Sequence, residues 1–174
     1  MEQHEFKEVY DRHARMVFNL CLNHLRNRDE ASEATQDVFV KVYDKLDGFK
    51  GDAALSTWIH RITINTCLDR IKAAKRKKRS FLGLSFSIGE AGVPEMPVFD
   101  HPGVQLERKE EMQLLFAALD RLPTAQRTAL LLKTTEGRSM EEIAAVMEIS
   151  TKAVESLLSR ARAGLKDFRE RTKD

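Results

Sequence analysis

Residues 139–166 constrain the fold more tightly than any other stretch of the chain. Ser139 followed three residues later by Glu142 is a capping box, which fixes where a helix starts. Ile143, Ala144 and Met147 then recur at three- and four-residue spacing and make a buried face. Glu148-Ile149-Ser150 interrupts the period as a tight turn. Thr151 opens a second helix with Val154, Leu157, Leu158, Ala161 and Leu165 on its inner side. Ala144 is small enough to let two helices cross closely, and Ile149 plugs the corner between them. The pattern is that of a helix-turn-helix, whose second helix lies in a DNA major groove. An ordinary helical hairpin shares the apolar plan; the Glu-Ile-Ala-x-x-Met-x-Ile-Ser order, with Arg160, Arg162 and Lys166 on the second helix, favours DNA.

Upstream, Leu106, Met112, Leu115, Leu119 and Leu122 predict a helix that stops at Pro123. Thr124 precedes a shorter run, Ala129 to Lys133, which Glu136-Gly137 ends. Residues 105–174 therefore read as one small helical domain. Before it, residues 80–104 hold three of the four prolines and four of the eight glycines and keep no helical period, so they read as a flexible linker. A plain spacer would be polar, whereas this one carries Phe81, Leu82, Leu84, Phe86, Val98 and Phe99, a composition suited to lying along a partner.

Residues 1–79 show a second helical domain. From about Glu5 to Arg26, Phe6, Val9, Tyr10, Val17, Leu20, Cys21 and His24 form an apolar stripe that closes at Asn27-Arg28. Asp29 is placed to cap the next helix, where Ala31, Ala34, Val38, Val42 and Leu46 face inward and Glu33, Gln36, Asp37, Lys41 and Lys45 face out. Phe39 and Tyr43 fall beside the stripe and widen the apolar surface toward Gln36-Asp37, which suits docking. A loop from Gly48 to Leu55 leads to Ser56-Thr57, read as the cap of a third helix. Trp58, Ile59, Ile62, Thr66 and Ile71 make its packed face; Arg61, Asn65, Asp69, Arg70 and Lys72 project from the other side. It runs into Lys75, Arg76, Lys77, Lys78 and Arg79, a block whose natural partners are polyanions, although a solvated helix terminus also accommodates it.

The charge follows this division. The formal net charge is only +2, but residues 1–79 hold 16 basic and 12 acidic groups, 80–110 hold 2 and 5, and 111–174 hold 11 and 10. Both ends are basic and the middle is acidic. Cys21 and Cys67 lie far apart at apolar helical positions without paired-ligand spacing, so neither a zinc site nor a disulfide framework is indicated, and a reducing compartment fits. The five histidines, His4, His13, His24, His60 and His101, show no metal-ligand period. No phosphate loop or nucleophile elbow is present, so neither an enzyme nor a bound cofactor or metal is expected. No apolar run reaches the roughly 18 residues of a membrane span, and the N-terminus is too polar for a signal peptide, so a cytoplasmic protein without membrane insertion is expected.

Several segments taken together resemble the sigma-70 family of bacterial transcription initiation factors, and more closely its small extracytoplasmic-function (ECF) subclass, which keeps only regions 2 and 4. EASEATQDVFVKVYDKLDGF is similar to the segment that grips the RNA polymerase core, GDAALSTWIHRITINTCLDRIKAAKRKKR to the promoter-melting and −10-reading segment, and LDRLPTAQRTALLLKTTEGRSMEEIAAVMEISTKAVESLLSRARAGL to region 4. The resemblance implies an all-α chain of two helical domains. It places region 2 at 1–79, the linker at 80–104 and region 4 at 105–174.

It also implies roles. Glu33, Gln36, Asp37, Phe39, Lys41 and Tyr43 would dock on the clamp coiled coil of the largest polymerase subunit, with Glu33 standing where Asp is common. Phe49, Lys50, Gly51 and Asp52 resemble a loop that captures a base flipped from the −10 element, and Asn65 would bond its exposed edge while Arg61 lies against the strand. Arg70, Lys72, Lys75 and Arg76, with Lys78, would line the DNA backbone. Trp58 fits either that strand or the hydrophobic core. Ser150, Thr151, Lys152, Glu155, Ser156, Ser159 and Arg160 would meet the −35 element; many relatives have a Gly-Thr-Val-Lys/Arg-Ser-Arg run here. The chain instead carries Glu155, suited to accept from a cytosine amino group. Region 4 would also meet the flap of the second-largest subunit, the linker would thread toward the polymerase active-site cleft, and an anti-sigma factor would hold the protein inactive.

Two other readings compete. A stand-alone regulator could occupy an operator through residues 151–166, but that leaves Gln36 to Tyr43 and Phe49 to Asp52 without a role and supplies no dimerisation element. A first domain acting solely in protein interaction is the other.

Overall fold

The computed structural model describes residues 3–49, 54–82 and 106–172, and among them it contains α-helices and no strand. In chain order these are α1 (Gln3–Leu25), α2 (Arg28–Leu46), α3 (Leu55–Leu82), α4 (Leu106–Arg121), α5 (Thr124–Thr134), α6 (Met140–Met147) and α7 (Thr151–Arg171). The chain divides into two compact units, one holding α1–α3 and the other α4–α7.

In the first unit the inward stripes of three helices meet. Val17, Cys21, Ala31, Ala34, Val38, Phe39, Val42, Ile59 and Cys67 form its buried core. Alanines at 31 and 34 shorten the side chains along the first turns of α2, so α1 and α3 both reach it. Burying a side chain such as Ile59 or Val38 contributes about 1.5–3 kcal/mol in transfer free energy. Cys21 and Cys67 are brought within 3.7 Å, Sγ to Sγ, by the packing of α1 against α3. Their shared hydrogen bond and their burial push the Cys67 thiol far up, so it stays protonated.

Helix ends differ from expectation in physically instructive ways. Arg26 adopts a left-handed backbone (φ 59°) and its N–H donates to Leu22 O at 3.0 Å, closing α1 one residue early. Asn27, not Asp29, caps α2: its backbone is extended and its side chain accepts from Glu30 N at 2.9 Å. Asp29 falls in the first turn, where its charge still complements the helix dipole. Ser56 and Thr57 do not cap α3, because the helix starts at Leu55 and the Trp58 N–H already donates to Ala54 O at 3.1 Å. Thr57 is instead buried. α3 also continues to Leu82, so its last three residues lie in the stretch expected to be linker.

The second unit is organised by α7, which packs against α4, α5 and α6. The capping box at Ser139 is present: Glu142 N donates to Ser139 Oγ at 3.1 Å, and Ser139 N donates to Glu142 Oε2 at 2.8 Å. Glu148 takes the left-handed conformation (φ 56°) that turns the chain toward Ser150, and Ile149 N donates to Ala144 O. Ile143, Ala144, Val146, Val154, Leu158 and Ala161 are buried, while Met147, Leu157 and Leu165 are only partly so. Ala118 and Leu119 of α4 and Leu122 just after it pack inward, but Leu115 is exposed alongside Leu114; a helix narrowed to one buried seam leaves its flanking apolar positions in water. The residue that follows α4 comes close to α7: a Cβ added at Gly164 would sit 2.9 Å from Leu122 Cδ2. No helix among the described residues is long and apolar enough to cross a membrane.

Candidate functional site

The outward side of α2 carries a row with i, i+4 spacing, Glu33, Asp37 and Lys41, next to Gln36, Val40 and Tyr43. Each charged member of the row has a partner on α3. Arg70 Nη2 donates to Asp37 Oδ2 at 2.6 Å and its Nε to the same oxygen at 3.2 Å, while Nη1 reaches Glu33 Oε2 at 3.3 Å. The Asp37 bond, more than the Glu33 bond, raises the Arg70 pKa above its ordinary value. Lys41 Nζ donates to Thr66 Oγ1 at 3.0 Å. The face is therefore a held arrangement of charges.

Beside the row lies an apolar groove of about 340 Å³ lined by Phe6, Tyr10, Gln36, Phe39, Val40 and Tyr43. Phe39 is its floor, only 4% exposed, and Val40 (61%) and Tyr43 (48%) stand at its rim. The rings interlock, with Tyr10 and Phe39 centroids 4.6 Å apart and Phe6 edge-on to Tyr43 at 5.1 Å. Of the lining residues, Gln36, Phe39 and Tyr43 are expected from the sequence. Phe6, Tyr10 and Val40 are not: Tyr10 reads as part of the α1 core stripe yet is 44% exposed, and its i, i+4 spacing from Phe6 is the signal that the N-terminal turns of α1 build a wall instead.

The other candidate residues of this unit lie elsewhere on α3. Asn65 is exposed and Arg61, one turn earlier, is half-buried; Lys72, Lys75 and Arg76 continue outward toward the C-terminal end, with Lys72 3.9 Å from Asp69. Phe49 packs its ring 5.1 Å from that of Trp58, so Trp58 is a partly buried member of the core that supports the start of α3. Lys50, Gly51 and Asp52 lie outside the described residues, as do positions 83–104 and the side chains of Lys78 and Met112. Arg70 does not share the Asn65 side of the helix.

In the second unit, Ser150 caps α7 by accepting from Ala153 N at 3.2 Å. Thr151, Lys152, Glu155, Ser159 and Arg160 are exposed along its first three turns, and Ser156 is half-buried and accepts from Arg160 Nη2 at 2.8 Å. All seven candidate residues here fall at the open end of the second helix, where a helix-turn-helix presents side chains to base edges.

An all-helical protein of two units, one bearing a held acidic and aromatic face and the other a helix-turn-helix, is thereby defined. Residues 9–77 match Sigma-70 region 2, and residues 112–165 match Sigma-70, region 4. The ECF RNA polymerase sigma factor SigM of Mycobacterium tuberculosis is 31% identical over 94% of this chain and 76% of its own length. The ECF RNA polymerase sigma-E factor of Escherichia coli is 30% identical, over 94% of this chain and 86% of its own. The chain belongs to the ECF subclass of the sigma-70 family, a family of non-catalytic transcription initiation factors. Its fold is similar to the sigma factor RpoE of Bartonella quintana, solved with the anti-sigma factor NepR (TM-score 0.70, 22% identity, 95% of this chain and 97% of that one). It is also similar to CnrH, solved with the cytosolic domain of CnrY (TM-score 0.68, 23% identity, 97% and 90%).

Proposed function

We propose that this chain binds the bacterial RNA polymerase core and directs it to promoters with a defined −10 and −35 element. The observation that carries the reading is that each of the two units bears its own kind of surface. The α2 face offers carboxylates beside an aromatic groove, a combination suited to a basic, partly apolar helical partner such as the clamp coiled coil of the largest subunit. The first turns of α7 offer hydroxyls, a carboxylate and cations suited to base edges and phosphates of the −35 element. Between these tasks, Arg61 and Asn65, with the loop around Phe49 to Asp52, would meet the −10 strand once a base is flipped, which costs a few kcal/mol and is repaid by stacking and edge hydrogen bonds. Lys72, Lys75 and Arg76 would neutralise phosphates, so melting would be driven by binding and need no nucleotide hydrolysis.

The complex of the similar sigma factor RpoE with the anti-sigma factor NepR supports regulation of the same kind here, by a protein that would cover the docking face. Contact between region 4 and the flap of the second-largest subunit, and passage of the linker toward the active-site cleft, complete the reading. Run-off transcription with polymerase core, the full chain and promoter fragments from the host genome tests it: transcripts that appear only with the chain, from start sites sharing two elements, are expected. Promoter binding without polymerase, and no transcript with it, would instead identify an operator-binding regulator.

A further inference from the structure

The proposed docking face raises a question about Arg70, which sequence position alone groups with the promoter-facing cations of α3. Three observations separate it from them. By helix geometry Arg70 lies about 140° around α3 from Asn65, at 100° per residue, and on the same side as Thr63 and Thr66, both of them buried. It is the least exposed charged group of its stretch, 28% against 71% for the Lys72 side chain. Its guanidinium is already committed, with three N–H bonds to Asp37 and Glu33.

We infer that Arg70 is a positioning residue of the polymerase-docking face, holding the Glu33 and Asp37 carboxylates for a cationic side chain of the partner, and is not a promoter contact. This rests on the reading of α2 as the docking face. Both Asp37 bonds fall on Oδ2 and the Glu33 bond on Oε2, so among the described residues Oδ1 of Asp37 and Oε1 of Glu33 accept no other hydrogen bond. A fork that grips one oxygen of each carboxylate and leaves the other outward presents two acceptors at a fixed spacing, which a guanidinium or ammonium on the partner can meet. Lys41, four residues on, is held by Thr66 from the same side of α3, so the whole 33–37–41 row is ordered before docking. The surface pair adds little to folding stability because water screens it. Its effect falls on association, where side chains already immobilised need not be ordered at the moment of binding.

The test is the affinity of the full-length chain for polymerase core across a salt series, with promoter affinity of the assembled holoenzyme measured in parallel. Arg70→Gln is expected to weaken polymerase affinity about three- to ten-fold, the equivalent of one or two side chains left to be ordered on binding. Promoter affinity and the unfolding midpoint should stay unchanged. Arg70→Lys, which keeps the charge without the fork, should recover part of the loss. In a Glu33→Gln, Asp37→Asn background, Arg70→Gln should have no further effect. Four results would overturn the inference: unchanged polymerase affinity with weakened promoter binding, an equal loss in the background lacking both carboxylates, tighter polymerase binding on removing Arg70, or wild-type chain that does not bind polymerase at all. The last also removes the reading of α2 as a docking face, whereas the first three leave that reading standing.

Discussion

The α2 face and the first turns of α7 are both polar helix surfaces, yet they are built in opposite ways. On α2, Glu33, Asp37 and Lys41 are each bonded to a residue of another helix, and the neighbouring aromatics pack on one another. On α7, Thr151, Lys152, Glu155 and Ser159 make no side-chain hydrogen bond or ion pair among the described residues, and the Arg160 to Ser156 bond stays within the helix. A surface that meets one protein partner gains from being ordered in advance, since the geometry never changes. Side chains that select among base edges gain from staying free to adjust to the groove and its water.

The comparison can be broken most forcefully at Phe39. The floor of the groove is also core, so Phe39→Ala should cost about 3–5 kcal/mol and unfold the first unit at a much lower temperature in a denaturation scan. Tyr43→Ala, at the rim, should leave that transition within about 1 kcal/mol of wild type while weakening polymerase binding. If the two substitutions were equally destabilising, groove and core would not be separate layers.

In the second unit the corresponding lever is the crossing of α6 and α7. Ala144→Leu forces extra volume into a closed corner and should cost about 1–3 kcal/mol, read by urea denaturation, with loss of −35 recognition following from it. Ser139→Ala removes the capping box and should cost about 1 kcal/mol. Glu148→Gly relieves a left-handed residue and should stabilise the unit by about 1 kcal/mol, leaving α7 where it is. On the reading side, Glu155→Arg should change base preference within the −35 element alone, as seen by promoter selection with the holoenzyme. The smallest effect belongs to the basic end of α3: Lys75→Gln with Arg76→Gln should lower the salt slope of promoter binding by about 0.9 for each phosphate that is no longer neutralised.

Much of this was legible in the sequence, for identifiable reasons. Periodicity located Val38 and Val42, and the Ser139 to Glu142 box located α6, because both are encoded by residues within a few positions of one another. Ser150 to Arg160 fell where the turn put them for the same reason. What was not legible depends on how helices sit against each other. Neither the pairing of Arg70 with Asp37, 33 residues away, nor the approach of Cys21 to Cys67 follows from any local spacing. Tyr10 and Leu115 fit an inward stripe on their own helices, yet both are exposed, because which part of a stripe is covered depends on the packing of other helices. The cap misplaced by two residues at Asp29 reflects two capping side chains, Asn27 and Asp29, competing for one position, which backbone geometry decides, whereas α3 starts ahead of Ser56.

The central claim, that the α2 face docks on the polymerase core, is tested most directly at Val40, the most exposed apolar residue of the groove rim. Titrating polymerase core with full-length chain carrying Val40→Asp should show at least a ten-fold loss of affinity, the order expected for a charge buried in an apolar contact, with the unfolding midpoint unchanged. Wild-type affinity for Val40→Asp would contradict the claim and place the polymerase contact elsewhere on the molecule.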